Sequence, residues 1–176
     1  MTAIPNFLRV TLKIDGGFAY VFSNTLYNCE TGIRKWPSAA GAEVRNNAAI
    51  HDTVANPAYI DYRDLGDAPA AVRSNNVSSD ATSETVALQN KTAFASYFRN
   101  TTGGSEDLHI TSTSAALWGS TGVNLAADPN APVTDDVDGG PRMAPDIGAD
   151  EYGSCCTLGA AEVAGSTVTV TGASQL

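Results

Sequence analysis

The chain has 176 residues, a formal net charge of −9 and only 16% charged residues. This length allows one domain with a hydrophobic core and a small appendage. A composition poor in charge and rich in Ala, Thr, Ser, Asn and Gly is unsuited to amphipathic helices and favours short stacked strands. The negative charge repels phosphate backbones, so we expect no nucleic-acid partner.

Neither a membrane segment nor a secretion signal is expected. The sequence has no run of about eighteen consecutive apolar residues, which a spanning helix would need. Residues 1–10 lack the basic start and the continuous apolar stretch of a signal peptide. We therefore expect no membrane insertion.

Alternation of apolar and polar residues predicts the first strands. It begins at Leu8 within residues 7–14 and ends at the turn Asp15-Gly16-Gly17. Residues 17–22 are predicted to form the next strand, and residues 59–62 a further short one.

An internal repeat predicts stacked coils. Val44-Arg45-Asn46-Asn47 resembles Val72-Arg73-Ser74-Asn75-Asn76, and an earlier echo of the pattern begins at Val21. A spacing of this size in β-prone sequence is typical of solenoids. The Asn residues are expected to stack into a ladder at the turns. The predicted inward residues are Val21, Leu26, Val44, Ile50 and Val72.

Between residues 79 and 100 the pattern changes to a loose helical spacing. Thr82-Ser83-Glu84-Thr85 predicts a helix cap, and several aromatic residues follow it. A short helix or irregular element that covers the last coil is expected, because an open solenoid end invites aggregation.

Three motifs follow in residues 104–117, 135–142 and 146–152, the last being Asp-Ile-Gly-Ala-Asp-Glu-Tyr. Together they resemble the C-terminal end of pectate-lyase-like right-handed parallel β-helix proteins, over roughly residues 70–153. The sequence departs from that pattern at Ala115, where Pro is frequent, and at Leu117-Trp118-Gly119, which replaces Ile-Asp-x-Gly.

This resemblance implies an all-β fold: a short right-handed parallel β-helix of about three coils with an irregular C-terminal cap. Beyond the resemblance, alternation around Val168 and Val170 predicts a β-strand tail. Relatives have many more coils, so the chain looks like the last portion of such a protein. We predict coils over residues 1–80, a capping region over 81–153 and a tail over 154–176 that docks or mediates oligomerisation.

The acidic loop near residue 136 permits two interpretations. Asp135, Asp136 and Asp138, with Asp128 nearby, offer oxygen ligands for calcium, although the spacing is not that of an EF-hand. Alternatively, Asp136 or Asp138 pairs with Arg142 and caps backbone amides, which would lock the loop structurally. We favour the lock, and no other cofactor is expected.

No catalytic residue is predicted. Lyases and hydrolases of this fold cluster carboxylates on a strand face, whereas Asp61, Asp64 and Asp67 beside Arg63 have the pattern of a solvated turn. His51 and His109 have no nucleophile near them in the sequence.

Aromatic residues in predicted loops are candidate glycan contacts, because an exposed ring can stack on a sugar. Each could equally belong to the core. These residues are Trp36, Tyr59, Tyr62 and Trp118.

The three cysteines fit neither a zinc site nor a disulfide framework. We expect Cys29 to be a small buried residue. A bridge from Cys29 to Cys155 or Cys156 remains open.

Two functions remain. The first is a non-catalytic structural or surface-binding component of a virion or extracellular particle, such as a phage capsid decoration, fibre or tailspike-like module. Its expected partners are further copies of the chain, other particle proteins and possible cell-surface glycans. The alternative is a fragment of a secreted β-helix polysaccharide lyase or glycoside hydrolase. We favour the first.

Overall fold

The structure, a computed structural model, describes residues 7–8 and 11–153. It is mostly β, with short helical segments. Among the described residues, no helix combines the length and apolar character needed to cross a bilayer. The predicted tail over residues 154–176 and the pairing of Cys155 and Cys156 lie outside these residues, while Cys29 is buried.

Within the described part of the chain, ten strands form three parallel sheets, which the chain visits in a fixed cyclic order. Sheet 1 contains β1 (Phe7–Leu8), β4 (Thr25–Tyr27), β7 (Ala48–Ile50) and β10 (Val77–Ser78). Sheet 2 contains β2 (Leu12–Ile14), β5 (Thr31–Lys35) and β8 (Ile60–Arg63). Sheet 3 contains β3 (Phe18–Phe22), β6 (Gly41–Arg45) and β9 (Val72–Ser74). Each circuit therefore adds one strand to every sheet.

Side chains from all three sheets meet in one inner core. Leu26 and Ala49 come from sheet 1, Ile14 and Ile33 from sheet 2, and Val44 from sheet 3. All five are almost inaccessible to solvent. The predicted alternation in residues 7–14 thus places Ile14 inward and Lys13 outward, as the pleat of a strand requires.

The register of sheet 3 corrects the predicted repeat. Val21 pairs with Val44, as expected, but Val44 pairs with Arg73 rather than with Val72, so the second circuit is longer than the repeat predicted. Val72 pairs instead with Glu43 and is 53% exposed. The prediction that Val72 points inward is therefore wrong, because a shift of one residue turns a side chain to the other face.

The predicted asparagine ladder is confirmed. The Nδ2 atom of Asn24 lies 3.0 Å from Oδ1 of Asn47, and the Nδ2 atom of Asn47 lies 3.0 Å from Oδ1 of Asn76. The residue before each of them has a left-handed backbone conformation, which Asn tolerates better than most residues. Those residues are Ser23, Asn46 and Asn75, with φ between 52° and 56°.

Residues 80–84 cover the free edge left by the last strands. Asp80, Thr82 and Glu84 each accept a hydrogen bond from a backbone amide at that edge, over 2.9–3.0 Å. These bonds satisfy donors that would otherwise invite another strand. The predicted helix cap is wrong, however: the 3₁₀ helix Val86–Leu88 begins without a side-chain cap.

The remaining elements pack beside sheet 1. They are α1 (Phe94–Tyr97), β11 (Phe98–Asn100), β12 (Asp107–Ile110) and α2 (Ser112–Trp118), with β11 and β12 antiparallel. Their apolar side chains form an outer core with the outward residues Tyr27, Ile50 and Val77 of sheet 1. Sheet 1 is thus buried on both faces. Residues 94–118 cover its outer face, and residues 80–84 cover the edge of the last strands.

Candidate functional site

A buried cluster joins His51, Asp61 and Ser79. The Nδ1 atom of His51 lies 2.8 Å from Oδ1 of Asp61 and 2.9 Å from Oγ of Ser79. The Ser79 hydroxyl and backbone amide both donate to Oδ2 of Asp61, at 2.7 and 2.6 Å. The expectation that Asp61 lies in a solvated turn is therefore wrong. The hydroxyl beside His51 belongs to Ser79, 28 residues further along the chain, so the sequence around His51 does not reveal it.

The geometry of this cluster is not that of a nucleophilic triad. In such a triad the carboxylate and the hydroxyl contact different ring nitrogens, whereas here both contact Nδ1 of His51. All three residues are at most 2% exposed. Burial lowers the pKa of His51, but the hydrogen bond and charge of Asp61 outweigh burial and raise it. The cluster joins β7, β8 and the edge of β10 through the interior.

A second cluster lies at the surface around His109. Its Nδ1 atom contacts Asp107, and its Nε2 atom lies 3.0 Å from Oδ2 of Asp138. Asp150 stands close enough to share a cation with His109 and Asp138, while accepting the amide of Ile110 at 2.8 Å. Partial burial lowers the pKa of His109, but the carboxylates, Asp107 first, hold it above its ordinary value. Protonation of His109 offsets part of the negative charge of these three carboxylates.

The structure separates the three predicted calcium ligands. Asp138 faces His109, whereas Oδ1 of Asp136 accepts the amides of Asp138 and Gly140 at 3.0 and 2.6 Å. Asp135 is exposed and forms a β-bridge with Pro141. The capping role predicted for Asp136 is therefore confirmed.

Arg142 locks the closing segment, but not through the predicted partners. Its guanidinium donates to the carbonyl oxygens of Asp146, Gly148 and Ala149 at 2.7–3.1 Å and pairs with Glu151 at 2.9 Å. The prediction that Asp136 or Asp138 pairs with Arg142 is wrong, because Arg142 is buried and turns toward residues 146–151.

Gly148 explains why the closing motif needs a glycine. Its φ is +110°, and an added Cβ would lie 2.7 Å from Oγ1 of Thr25. The amide of Ala149 donates to that oxygen at 2.9 Å. A hydrogen bond from a backbone amide of the closing motif to a side chain of β4 thus holds the motif against sheet 1.

Two of the four candidate glycan residues belong to the interior. Trp118 is fully buried against Tyr97, with ring centroids 4.9 Å apart. Tyr62 is 5% exposed, and its hydroxyl lies 2.8 Å from the carbonyl oxygen of Asn47. Both predictions are wrong, because Trp118 packs into the outer core and Tyr62 into the inner core. Tyr59 is half-buried over the His51 ring.

Trp36 lies in an open groove of about 360 Å³ on the outer face of sheet 2. The cations Lys13, Arg34 and Arg63 line the groove together with Glu30 and two threonines. The register places Lys13 beside Arg34 and Arg34 beside Arg63. This groove is the candidate binding site.

The sequence analysis missed the row of cations. Each is adjacent to an inward apolar residue of its strand, so the outward orientation of each was predictable. Their alignment was not, because the three cations come from three successive circuits of the chain and no local pattern reveals the register between circuits.

Comparisons with protein-family models, with curated proteins and with solved structures find no match. The resemblance to the end of a pectate-lyase-like β-helix therefore stays a prediction.

Proposed function

We propose that the chain forms the last coils of a right-handed parallel β-helix and serves as a non-catalytic structural component of a virion or extracellular particle. The observation that carries this proposal is the cyclic strand order in three parallel sheets, with the Asn24-Asn47-Asn76 ladder along one turn. Stacked coils with a satisfied internal ladder are a rigid scaffold.

The handedness follows from a general rule of chain topology. Connections between parallel strands of one sheet are right-handed in nearly all proteins, because twisted strands pack back onto the sheet only in that sense. Every return to sheets 1, 2 and 3 is such a connection. The inner core shared by the three sheets supports closure into one helix.

Several features support a non-catalytic role. The hydrogen bond between His51 and the Ser79 hydroxyl is buried, so Ser79 is not presented to a substrate. The carboxylates of Asp61, Asp136 and Asp150 accept backbone amides that hold loops and strand edges in place. Their arrangement serves the fold.

An exposed apolar patch on sheet 3 supports assembly with further copies of the chain. Phe18 and Tyr20 are 51% and 39% exposed, and their ring centroids lie 5.1 Å apart. Val72 is 53% exposed on the same sheet, where Glu43 separates it from Tyr20. A patch of exposed apolar side chains is a feature of protein interfaces.

Size-exclusion chromatography with light scattering tests the proposal. We expect a stable trimer or larger assembly that survives a chelator, and we expect the double variant Phe18→Ser, Tyr20→Ser to be smaller. The matched control Tyr152→Ser, at another exposed aromatic residue, should keep the assembly. A well-folded monomer of the unmodified chain would contradict the particle role.

The groove on sheet 2 favours one alternative, a fragment of a β-helix polysaccharide lyase or glycoside hydrolase. It combines Glu30 with cations on a strand face, which is where enzymes of this fold cluster their charged groups. Incubation with acidic and neutral polysaccharides, followed by measurement of unsaturated products and new reducing ends, separates the two functions. Cleavage that Glu30→Gln abolishes would replace the structural proposal.

A further inference from the structure

The row of cations on sheet 2 is unusual for this chain, whose net charge is −9. Like charges on directly neighbouring strands destabilise a sheet, yet Lys13, Arg34 and Arg63 stand side by side. Selection for stability alone would avoid this arrangement. A role in binding an anionic ligand would account for the row.

Neighbouring carboxylates compensate the row unevenly. Asp15 binds Lys13 at 2.9 Å, and Oδ2 of Asp64 binds Arg34 at 2.8 Å. The same oxygen lies 3.9 Å from Arg63. Arg63, with a 43% exposed side chain, is thus the cation with the most capacity for another anion.

Trp36 is held at the side of this row. The Lys13 ammonium lies 4.8 Å and the Arg34 guanidinium 4.3 Å from the centre of its ring system, both within the range of cation–π attraction. The residue is nevertheless 37% exposed. A fixed indole of this kind offers an apolar edge or face at little cost in side-chain entropy.

The remaining lining is polar and uncharged or acidic. Glu30 accepts hydrogen bonds, and Thr11 and Thr31 can donate or accept them. An indole, a hydrogen-bond acceptor with hydroxyls, and a spare guanidinium match a ligand with an apolar ring face, hydroxyl groups and an anionic substituent. The volume of about 360 Å³ lies near the lower end of small-ligand sites.

We infer that this groove binds an acidic saccharide, with its carboxylate or sulfate group on Arg63, its ring on Trp36 and its hydroxyls on Glu30 and the threonines. This inference rests on the proposed function, because it names the glycan class that the scaffold would present to its surroundings. Carboxylate and sulfate share the chemistry that the guanidinium recognises.

Titration with dextran, carboxymethyl-dextran and dextran sulfate of matched length tests the inference, because the three differ only in their charged groups. The chain has two tryptophans, and Trp118 is fully buried, so a fluorescence change on binding reports Trp36. We expect at least one anionic form to bind roughly tenfold or more tightly than dextran. The comparison of the two anionic forms shows which group is preferred.

Two pairs of variants locate the site. Arg63→Gln should weaken binding of the anionic form about tenfold or more, whereas Arg99→Gln, an exposed arginine on β11, removes the same charge and should change it less than about twofold. Trp36→Ala should weaken binding and abolish the fluorescence change. Tyr152→Ala, at an exposed aromatic residue outside sheets 2 and 3, should do neither.

The inference is overturned if none of the polymers binds, if dextran binds as tightly as its anionic forms, or if Arg99→Gln weakens binding as much as Arg63→Gln. Failure of the inference is distinguishable from failure of the proposed function. An assembly that cleaves no polysaccharide and binds no anionic dextran would contradict the inference alone. A monomer that binds anionic dextran through Trp36 and Arg63 contradicts the particle role alone.

Discussion

Asn47 shows how one side chain connects three coils. Its Nδ2 atom donates to Oδ1 of Asn76 at 3.0 Å and to the carbonyl oxygen of Val21 at 2.8 Å. Its Oδ1 atom accepts the backbone and side-chain amides of Asn24 at 3.1 and 3.0 Å. Asn47 itself is fully buried, so a lost partner of its side chain is not readily replaced by water.

The change Asn47→Asp therefore tests the ladder. It replaces the Nδ2 donor with an oxygen that faces the acceptors of Val21 and Asn76, and it buries a charge. We expect the free energy of unfolding, from urea denaturation at neutral pH, to fall by about 2–4 kcal/mol. The control Asn124→Asp, at an exposed residue, keeps the side-chain oxygen that accepts the amide of Ala126 and should cost less than about 0.5 kcal/mol. Equal effects of the two changes would show that the ladder adds no stability.

Lys35, unlike Asn47, is a buried residue that we expect to lower the stability of the fold. Its side chain is fully buried at the end of β5, and its Nζ atom has no hydrogen-bond partner among the described residues. Burial of a polar group without a partner is costly. We expect Lys35→Met to raise the free energy of unfolding by about 1–3 kcal/mol in the same assay. Lys13→Met, at a half-exposed residue of the same sheet, should change it by less than about 1 kcal/mol. A loss of stability in Lys35→Met would reveal a stabilising role for the ammonium.

Sheet 1 separates the inner core from the outer core. Its inward residues Leu26 and Ala49 belong to the inner core, and its outward residues Tyr27 and Ile50 belong to the outer core. The closing segment 146–151 completes the outer side through Ile147, which is fully buried. Arg142 holds this segment by three backbone carbonyls and Glu151 at once.

We therefore expect Arg142→Lys to loosen the closing segment even though the charge is kept. A single ammonium cannot reproduce the planar set of donors that a guanidinium offers. Amide hydrogen exchange of Ile147 and Ala149 should become at least about tenfold faster, and the free energy of unfolding should fall by about 2–4 kcal/mol. Arg99→Lys, at an exposed site, is the matched control. Unchanged exchange in Arg142→Lys would mean that Ile147 packing alone holds the segment.

Folding favours the protonated form of three buried acids and of both histidines. Burial raises the pKa of Asp61 and of Asp150, and it raises that of Glu151 from 4.5 to about 7 against the opposing charge of Arg142. The pKa values of His51 and His109 are raised as well. For each of these five groups the folded state binds its proton more tightly than the unfolded state.

Stability should therefore fall as the pH rises. The contribution of Glu151 is complete below pH 4.5 and is lost as the pH rises through about 7; the histidines extend the loss above their ordinary pKa. We expect the free energy of unfolding to be larger at about pH 5 than at about pH 8, by on the order of 2 kcal/mol. Glu151→Gln should reduce the pH dependence of the free energy of unfolding. Glu30→Gln, at an exposed residue, should leave that pH dependence unchanged. A protein that is more stable at the higher pH would contradict this assignment.

Much of the local structure was predictable from the sequence. The recurrence of Asn shortly after Val, around Asn24, Asn47 and Asn76, predicts the ladder because stacked turns repeat their hydrogen bonds from one circuit to the next. The alternation around Lys13 and Ile14 predicts which side chains point inward, and Asp136 beside Gly139 predicts a capped turn. In each case the physical cause acts within a few residues or repeats at a regular spacing.

Tertiary structure decided what depends on register and on distant partners. The length of the second circuit turned Val72 outward, and the same register aligned Arg63 with Arg34 at the groove. Burial of Trp118 and Tyr62, the His51–Asp61–Ser79 contact and the partners of Arg142 arise where segments far apart in sequence pack together. Local sequence accounts for how each residue lies in its own strand or turn, whereas the pairing of strands from successive circuits sets which side chains meet, because contacts between circuits join residues more than twenty positions apart.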